Sequence, residues 1–338
     1  MRLCRFALSL APFLFALWFT TAHAATPAAP IEGFVETKSV RLQYLDWGGS
    51  TSGRTLILIH GLGDNPHVFD DLAPAFLEQF HVVAYARRGS GGSDVKGPYD
   101  AATLTDDLLD FMNALRIRKA ALVGYSAGGG EVTELAARHP DRVERIVYFE
   151  GGYDATDPDF KGLLAALPQG FFDGPPSAMS SLDAFRGFMK GTQYPTLDDM
   201  GRIEANFRAK VIIQADGSIK YRASSDTVNE LYNALLNDKR RDYKRVRCPA
   251  LAIYAETLYD TGIADEKKRH DLIDYELKYW HPYQEKSIKR LQRELPGVQV
   301  VRVRGAHGSF FMTDRAQVIE PMQQFLGATL QTQANRIP

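Results

Sequence analysis

Apolar residues along this chain fall into two rhythms. From Phe34 to Lys38 and from Val40 to Trp47, apolar and polar positions alternate among β-branched and aromatic residues, which predicts an opening hairpin ended by Gly48-Gly49. After that the apolar residues come in short unbroken runs at Thr55–Ile59, His81–Tyr85, Ala120–Val123, Arg145–Phe149, Ala250–Tyr254 and Val298–Val303. Runs of this length suit strands buried on both faces. Between them lie helical patterns. Leu108, Leu109, Met112 and Leu115 share one face of a helix over 105–115, and Val132 to Ala137 continue a helix that ends before Pro140. Strands alternating with helices predict an α/β fold: a mostly parallel, doubly wound sheet whose chemistry gathers in the loops beyond the carboxyl ends of its strands.

One stretch breaks the alternation. From Tyr153 to Arg247 there is no run that reads as a buried strand; Phe160, Leu163, Leu164, Leu167, Phe185, Phe188 and Met189 stand instead among many prolines and glycines. We read residues 153–247 as a mainly helical insertion over the active edge of the sheet, with the core formed by 34–152 and 248–330. Asp265 to Leu295, dense in charge, reads as one or two solvated helices interrupted at Pro282.

Composition changes this picture little. The chain has 338 residues, 45% of them hydrophobic and 24% charged, with a formal charge of −1, so it can bury a large core and carries no electrostatic footprint for nucleic acid or an anionic membrane. The amino terminus changes it more. Arg2 and Arg5 precede an apolar run from Phe6 to Phe19, and Ala22-His23-Ala24 supplies a small-x-small cleavage pattern. Residues 1–24 are therefore expected to be a signal peptide, 25–33 a linker, and the mature protein to be exported, periplasmic or extracellular. Its one remaining thiol, Cys248, precedes a strand and reads as buried and inert.

Candidate chemistry centres on Gly124-Tyr125-Ser126-Ala127-Gly128, which follows one apolar strand and precedes a helix. A serine on such a turn is held in a strained backbone conformation that exposes its hydroxyl. His60-Gly61-Leu62-Gly63 follows another strand, and the N–H groups of Leu62 and Ala127 are the natural pair to receive a developing oxyanion. A rival reading takes Gly61-x-Gly63-x-x-Pro66 as a dinucleotide loop, with Arg87 and Arg88 on a 2′-phosphate, but proline replaces the third glycine and the serine turn is left without a purpose. Serine needs a base. Of the eight histidines, His307 alone follows the last apolar strand and precedes the terminal helix, the position a base would occupy.

Together these residues resemble the α/β-hydrolase family, whose chain order is nucleophile, acid, histidine; the resemblance spans about residues 34–328, with the insertion in the place of that family's cap. Arg88-Gly-Ser-Gly-Gly-Ser-Asp94 is also similar to a turn of that family. The acid departs from the common pattern. In the family it generally follows the strand matching Ala250–Tyr254, and the residue in register here is Leu258. A variant arrangement, found in some dehalogenases, places it one strand earlier, where Glu150 stands; Asp260 and Glu256 are the alternatives.

The resemblance implies a serine hydrolase that cleaves carboxylic esters through Ser126, His307 and Glu150 and an acyl-enzyme, and the amino-terminal pattern adds the expectation that it is exported. Lactonase, thioesterase, peptidase or perhydrolase activity, or a silent ligand-binding role, are the other readings of the same residues. The expected partner is a small-molecule ester, with no nucleic acid and no stable membrane insertion after signal cleavage. No cofactor or metal is expected, since the chain has no His-Glu-x-x-His, no paired-cysteine spacing and no Walker-type loop.

Overall fold

The computed structural model describes residues 29–168 and 175–328; the expected signal peptide lies outside them, as does the linker up to residue 28. The opening hairpin pairs β1 (Ile31–Glu36) with β2 (Arg41–Gly49), so the strand claims Ile31 to Gly33 from the expected linker. Then come β3 (Thr55–Ile59), β4 (His81–Tyr85), β5 (Ala120–Tyr125) and β6 (Val143–Phe149). A small separate hairpin in the insertion is formed by β7 (Val211–Ile213) and β8 (Ile219–Tyr221), and β9 (Ala250–Thr257) and β10 (Gln299–Ala306) complete the main sheet. Its order is β1-β2-β4-β3-β5-β6-β9-β10, antiparallel at β1-β2-β4 and parallel from there on.

Helices cover both faces, as a parallel sheet requires. In the core these are α1 (Ala101–Ala114) and α2 (Gly128–Arg138), with α3 (Pro158–Ala165), α4 (Leu182–Thr192), α5 (Glu204–Lys210) and α6 (Ser225–Asn237) in the insertion. After β9 come α7 (Glu266–Tyr275) and α8 (His281–Glu294), and after β10 the short α9 (Phe310–Thr313) and α10 (Ala316–Gly327). The strand period divides the core in two. Leu56 and Leu58 of β3 face a cluster with Phe69, Phe149, Phe310 and Met322, while Ile57 and Ile59 face one with Leu108, Phe111, Trp280 and Leu291.

The insertion is mainly helical; its two strands, β7 and β8, have three residues each, with Ile213 and Tyr221 more than half exposed, so they leave no buried apolar run to read. One expectation needs correction: the charged segment is not broken at Pro282. That proline sits in the first turn of α8, where its missing N–H is no loss, and the irregularity is a π-helical turn at Glu276–Trp280. Nor is the segment merely solvated: Leu272, Tyr275, Trp280, Tyr283 and Leu291 are buried beneath its charges. No described helix is long and apolar enough to cross a membrane.

Candidate active site

Parallel register aligns the strand ends that matter. Tyr125 of β5 pairs with Phe149 of β6, and Phe149 with Ile253 of β9, so Ser126 and Glu150 each stand one residue past neighbouring strand ends. The Ser126 N–H donates to the Phe149 carbonyl (3.0 Å) and the Glu150 N–H to that of Ile253 (2.8 Å). Both residues are left-handed, with φ of 52° for Ser126 and 49° for Glu150. Non-glycine residues rarely adopt this region, and it costs of order 1–3 kcal/mol, a load that clusters at functional positions. Close approach of the backbone makes room for these turns: a Cβ on Gly129 would lie 2.0 Å from the Gly151 carbonyl oxygen.

His307 enters from the far side of β9. Its N–H donates to the Thr257 carbonyl (2.8 Å), and its ring stacks on Tyr125, centroids 5.5 Å apart, while the Tyr125 hydroxyl donates to the His307 carbonyl (3.0 Å). The imidazole Nε2 lies 2.9 Å from Ser126 Oγ and Nδ1 lies 2.6 Å from Glu150 Oε2. That pairing fits the tautomer with hydrogen on Nδ1, leaving Nε2 to accept the serine proton. Glu150 is fully buried, and its Oε1 accepts from the Ala255 N–H (2.7 Å) and the Tyr153 hydroxyl (3.0 Å). Gln284 of α8 donates in turn to the Tyr153 hydroxyl and to the Ala255 carbonyl, both at 2.9 Å. The carboxylate is thus fixed from three elements.

The alternative acids lie elsewhere. Asp260 accepts from the Thr196 N–H and hydroxyl and from the Gly262 N–H, tying the insertion to the turn after β9. Glu256 is exposed. Leu62 and Ala127 both line the cavity over Ser126, and among the described residues neither N–H has an acceptor. The loop that carries Leu62 is braced by His60, which is fully buried: Nδ1 lies 2.8 Å from the Gly61 carbonyl oxygen and Nε2 accepts from the Arg87 N–H (3.0 Å). Burial first, then the Arg87 charge, hold this imidazole down at about 3, so it is neutral. Arg87 and Arg88 do not face a nucleotide. Arg87 pairs with buried Glu131, and Arg88 grips Asp107 at 2.5 and 2.7 Å.

The cavity over Ser126 has a volume of about 440 Å³ and is walled mostly by the insertion: Phe160, Leu163 and Leu167 near α3, Phe185 and Met189 from α4, Val228 and Tyr232 from α6. A second space of about 730 Å³ adjoins it, sharing Leu62, Asp64, Lys210 and Tyr221. Among the described residues no group of three or more His, Cys, Asp or Glu is arranged to hold a metal ion. Cys248 is partly exposed, and burial first among its causes pushes its thiol up to about 12. Sequence reasoning missed Tyr153, Gln284 and Glu276. Tyr153, three residues past Glu150, carried a faint signal; the other two lie in a helix read only for its charge.

Comparisons with known proteins bear on the family and the fold. RutD of Caulobacter sp. (strain K31), named as a candidate carbamate hydrolase, is 30% identical over 208 residues, covering 60% of this chain and 73% of that protein. The crystal structure of an E-2-(acetamidomethylene)succinate hydrolase superposes with a TM-score of 0.69 at 22% identity, covering 88% of this chain and all of the other. That of carboxylesterase CesB (YbfK) from Bacillus subtilis gives 0.59 at 17% identity, covering 90% and 94%. Residues 54–256 match the family described as alpha/beta hydrolase fold, and with a sheet, an elbow and hydrolase-named relatives all in accord, the chain belongs to that family.

Proposed function

We propose that this protein is an exported serine hydrolase that cleaves carboxylic esters of small to medium size with an apolar body. The observation that carries the reading is the unbroken hydrogen-bonded line from Ser126 Oγ through the His307 imidazole to buried Glu150, at 2.9 and 2.6 Å. In the first half-reaction Ser126 Oγ attacks the ester carbonyl carbon while His307 Nε2 takes the hydroxyl proton. The carbonyl π electrons move onto oxygen, which the N–H groups of Leu62 and Ala127 receive. Glu150 holds the imidazolium on its Nδ1 side and keeps the ring in the productive tautomer. As the tetrahedral species collapses, the C–O bond to the alcohol breaks and the Nε2 proton passes to the departing oxygen. Water then enters, gives a proton to Nε2 and attacks the acyl carbon; the bond from that carbon to Ser126 Oγ breaks, Oγ takes the Nε2 proton, and the acid leaves with the serine hydroxyl and neutral imidazole restored.

The insertion supports the substrate class, since most of its side chains around the cavity are aliphatic and aromatic, with Lys210 and Arg241 the charged exceptions. Export is supported by the charge and apolar run of residues 1–24. Release of 4-nitrophenol from short and medium acyl esters, beside a panel of lactones and thioesters, tests the reaction, and Ser126→Ala is expected to lower kcat by about 10⁴-fold or more. An alkyl phosphonate should label the peptide carrying Ser126. Turnover that survives in Ser126→Ala, or label on another peptide, sinks the proposal.

A further inference from the structure

The turn after β9, where the family's acid commonly stands, is not idle in this chain. The N–H groups of Leu258 and Tyr259 both donate to Oε1 of Glu276, each at 2.8 Å. Thr257, the residue just before them, receives the backbone N–H of His307 and donates its hydroxyl to the Tyr259 carbonyl (2.8 Å). One carboxylate thus clasps the turn from which the histidine hangs. Glu276 opens the π-helical turn between α7 and α8, is 2% exposed, and its Oε2 has no hydrogen-bond partner among the described residues. A buried carboxylate with one oxygen unsatisfied is costly, and π-turns recur at functional positions.

We propose that Glu276 is a positioning residue of this site, a second buried carboxylate that holds the turn beneath His307 and lends its charge to the imidazole. The inference rests on the reading of Ser126, His307 and Glu150 as the catalytic set. The groups facing Glu276 are Glu150 at the end of β6, His307 after β10, Tyr259 in the turn after β9, Tyr275 on α7 and His281 on α8, whose Nε2 is 3.9 Å from Oε2. Burial, opposed by the two amides and aided by the Glu150 charge, pushes the Glu276 carboxyl up to about 7. Its charge therefore changes around neutral pH. Ionised Glu276 favours the imidazolium; protonated Glu276 does not.

Proton and carbon NMR of the whole protein can follow the His307 ring and the Glu276 carboxyl from pH 4 to 10. In wild type Glu276 is expected to titrate near pH 7, with a matching inflection in the His307 ring signals. Glu276→Gln keeps a carbonyl acceptor for the turn but removes the charge, so the inflection that follows the Glu276 carboxyl should vanish from the His307 ring signals. A wild-type Glu276 that titrates in the ordinary carboxylate range overturns the proposal, whether or not the variant folds. A variant whose histidine curve coincides with that of wild type overturns it too. The signals report the imidazole with or without ester turnover, so a chain inert to esters whose ring signals still follow the Glu276 carboxyl keeps this inference and loses only the substrate reading.

Discussion

Ser126 and Glu150 share a left-handed backbone at the ends of adjacent parallel strands, and this pairing explains how an acid outside the family's common position can serve. A carboxylate there reaches Nδ1 from beside the nucleophile instead of from the turn after β9. The acid is tested by comparing three variants. Glu150→Gln should lose about 10⁴-fold in kcat, because an amide opposite Nδ1 admits the wrong tautomer. Asp260→Asn and Glu256→Gln should stay within about tenfold of wild type, one carboxylate being tied to Thr196 and the other exposed. Equal small losses from all three would overturn the assignment. Ser126 and His307 were legible in the sequence because their positions after apolar strands leave few other places for them. The partners that fix Glu150 were not, because Tyr153 and Gln284 reach it only through tertiary packing.

Among the elements, α5 of the insertion is joined to the loop that presents Leu62. Lys210, its last residue, pairs with Asp64 at 2.7 Å with both side chains about 85% buried, and Asn65 donates to the Asn206 carbonyl (3.0 Å). Burial would lower the Lys210 ammonium, but Asp64 outweighs it and holds it raised. Asp64→Asn leaves that cation buried and unpaired, and urea unfolding should show a loss of about 3 kcal/mol. Asp64→Asn with Lys210→Met should recover much of it; two additive losses would show that the pair is not coupled. The long parallel strands were legible because burial on both faces writes an unbroken apolar run. The β7–β8 hairpin and the π-turn were not, since strands this short and half exposed, or one extra residue in a helical turn, leave no mark on periodicity.

For the whole molecule, acid is expected to be a weak side. His60 stays neutral in the fold down to about pH 3, whereas in the unfolded chain it takes a proton near 6.5. The unfolded state therefore binds more protons between those values, and the contribution of His60 is full above pH 6.5 and lost as pH falls towards 3. The difference amounts to on the order of 5 kcal/mol. Glu276 acts in the opposite sense: its raised carboxyl contributes below the ordinary glutamate range, and that share is lost as pH rises through 7. Denaturant midpoints measured from pH 3 to 8 should fall steeply below about 6, and less steeply in His60→Gln. Parallel profiles for the two would refute the account.

The strand order also governs how much of the chain the site draws on. The turns that carry Ser126 and Glu150 follow the paired strands β5 and β6, whereas His307 comes from the end of β10, laid along β9. A chain that ends before residue 299 carries both turns in its sequence but lacks the histidine, so the proposed proton acceptor depends on the last strand of the sheet.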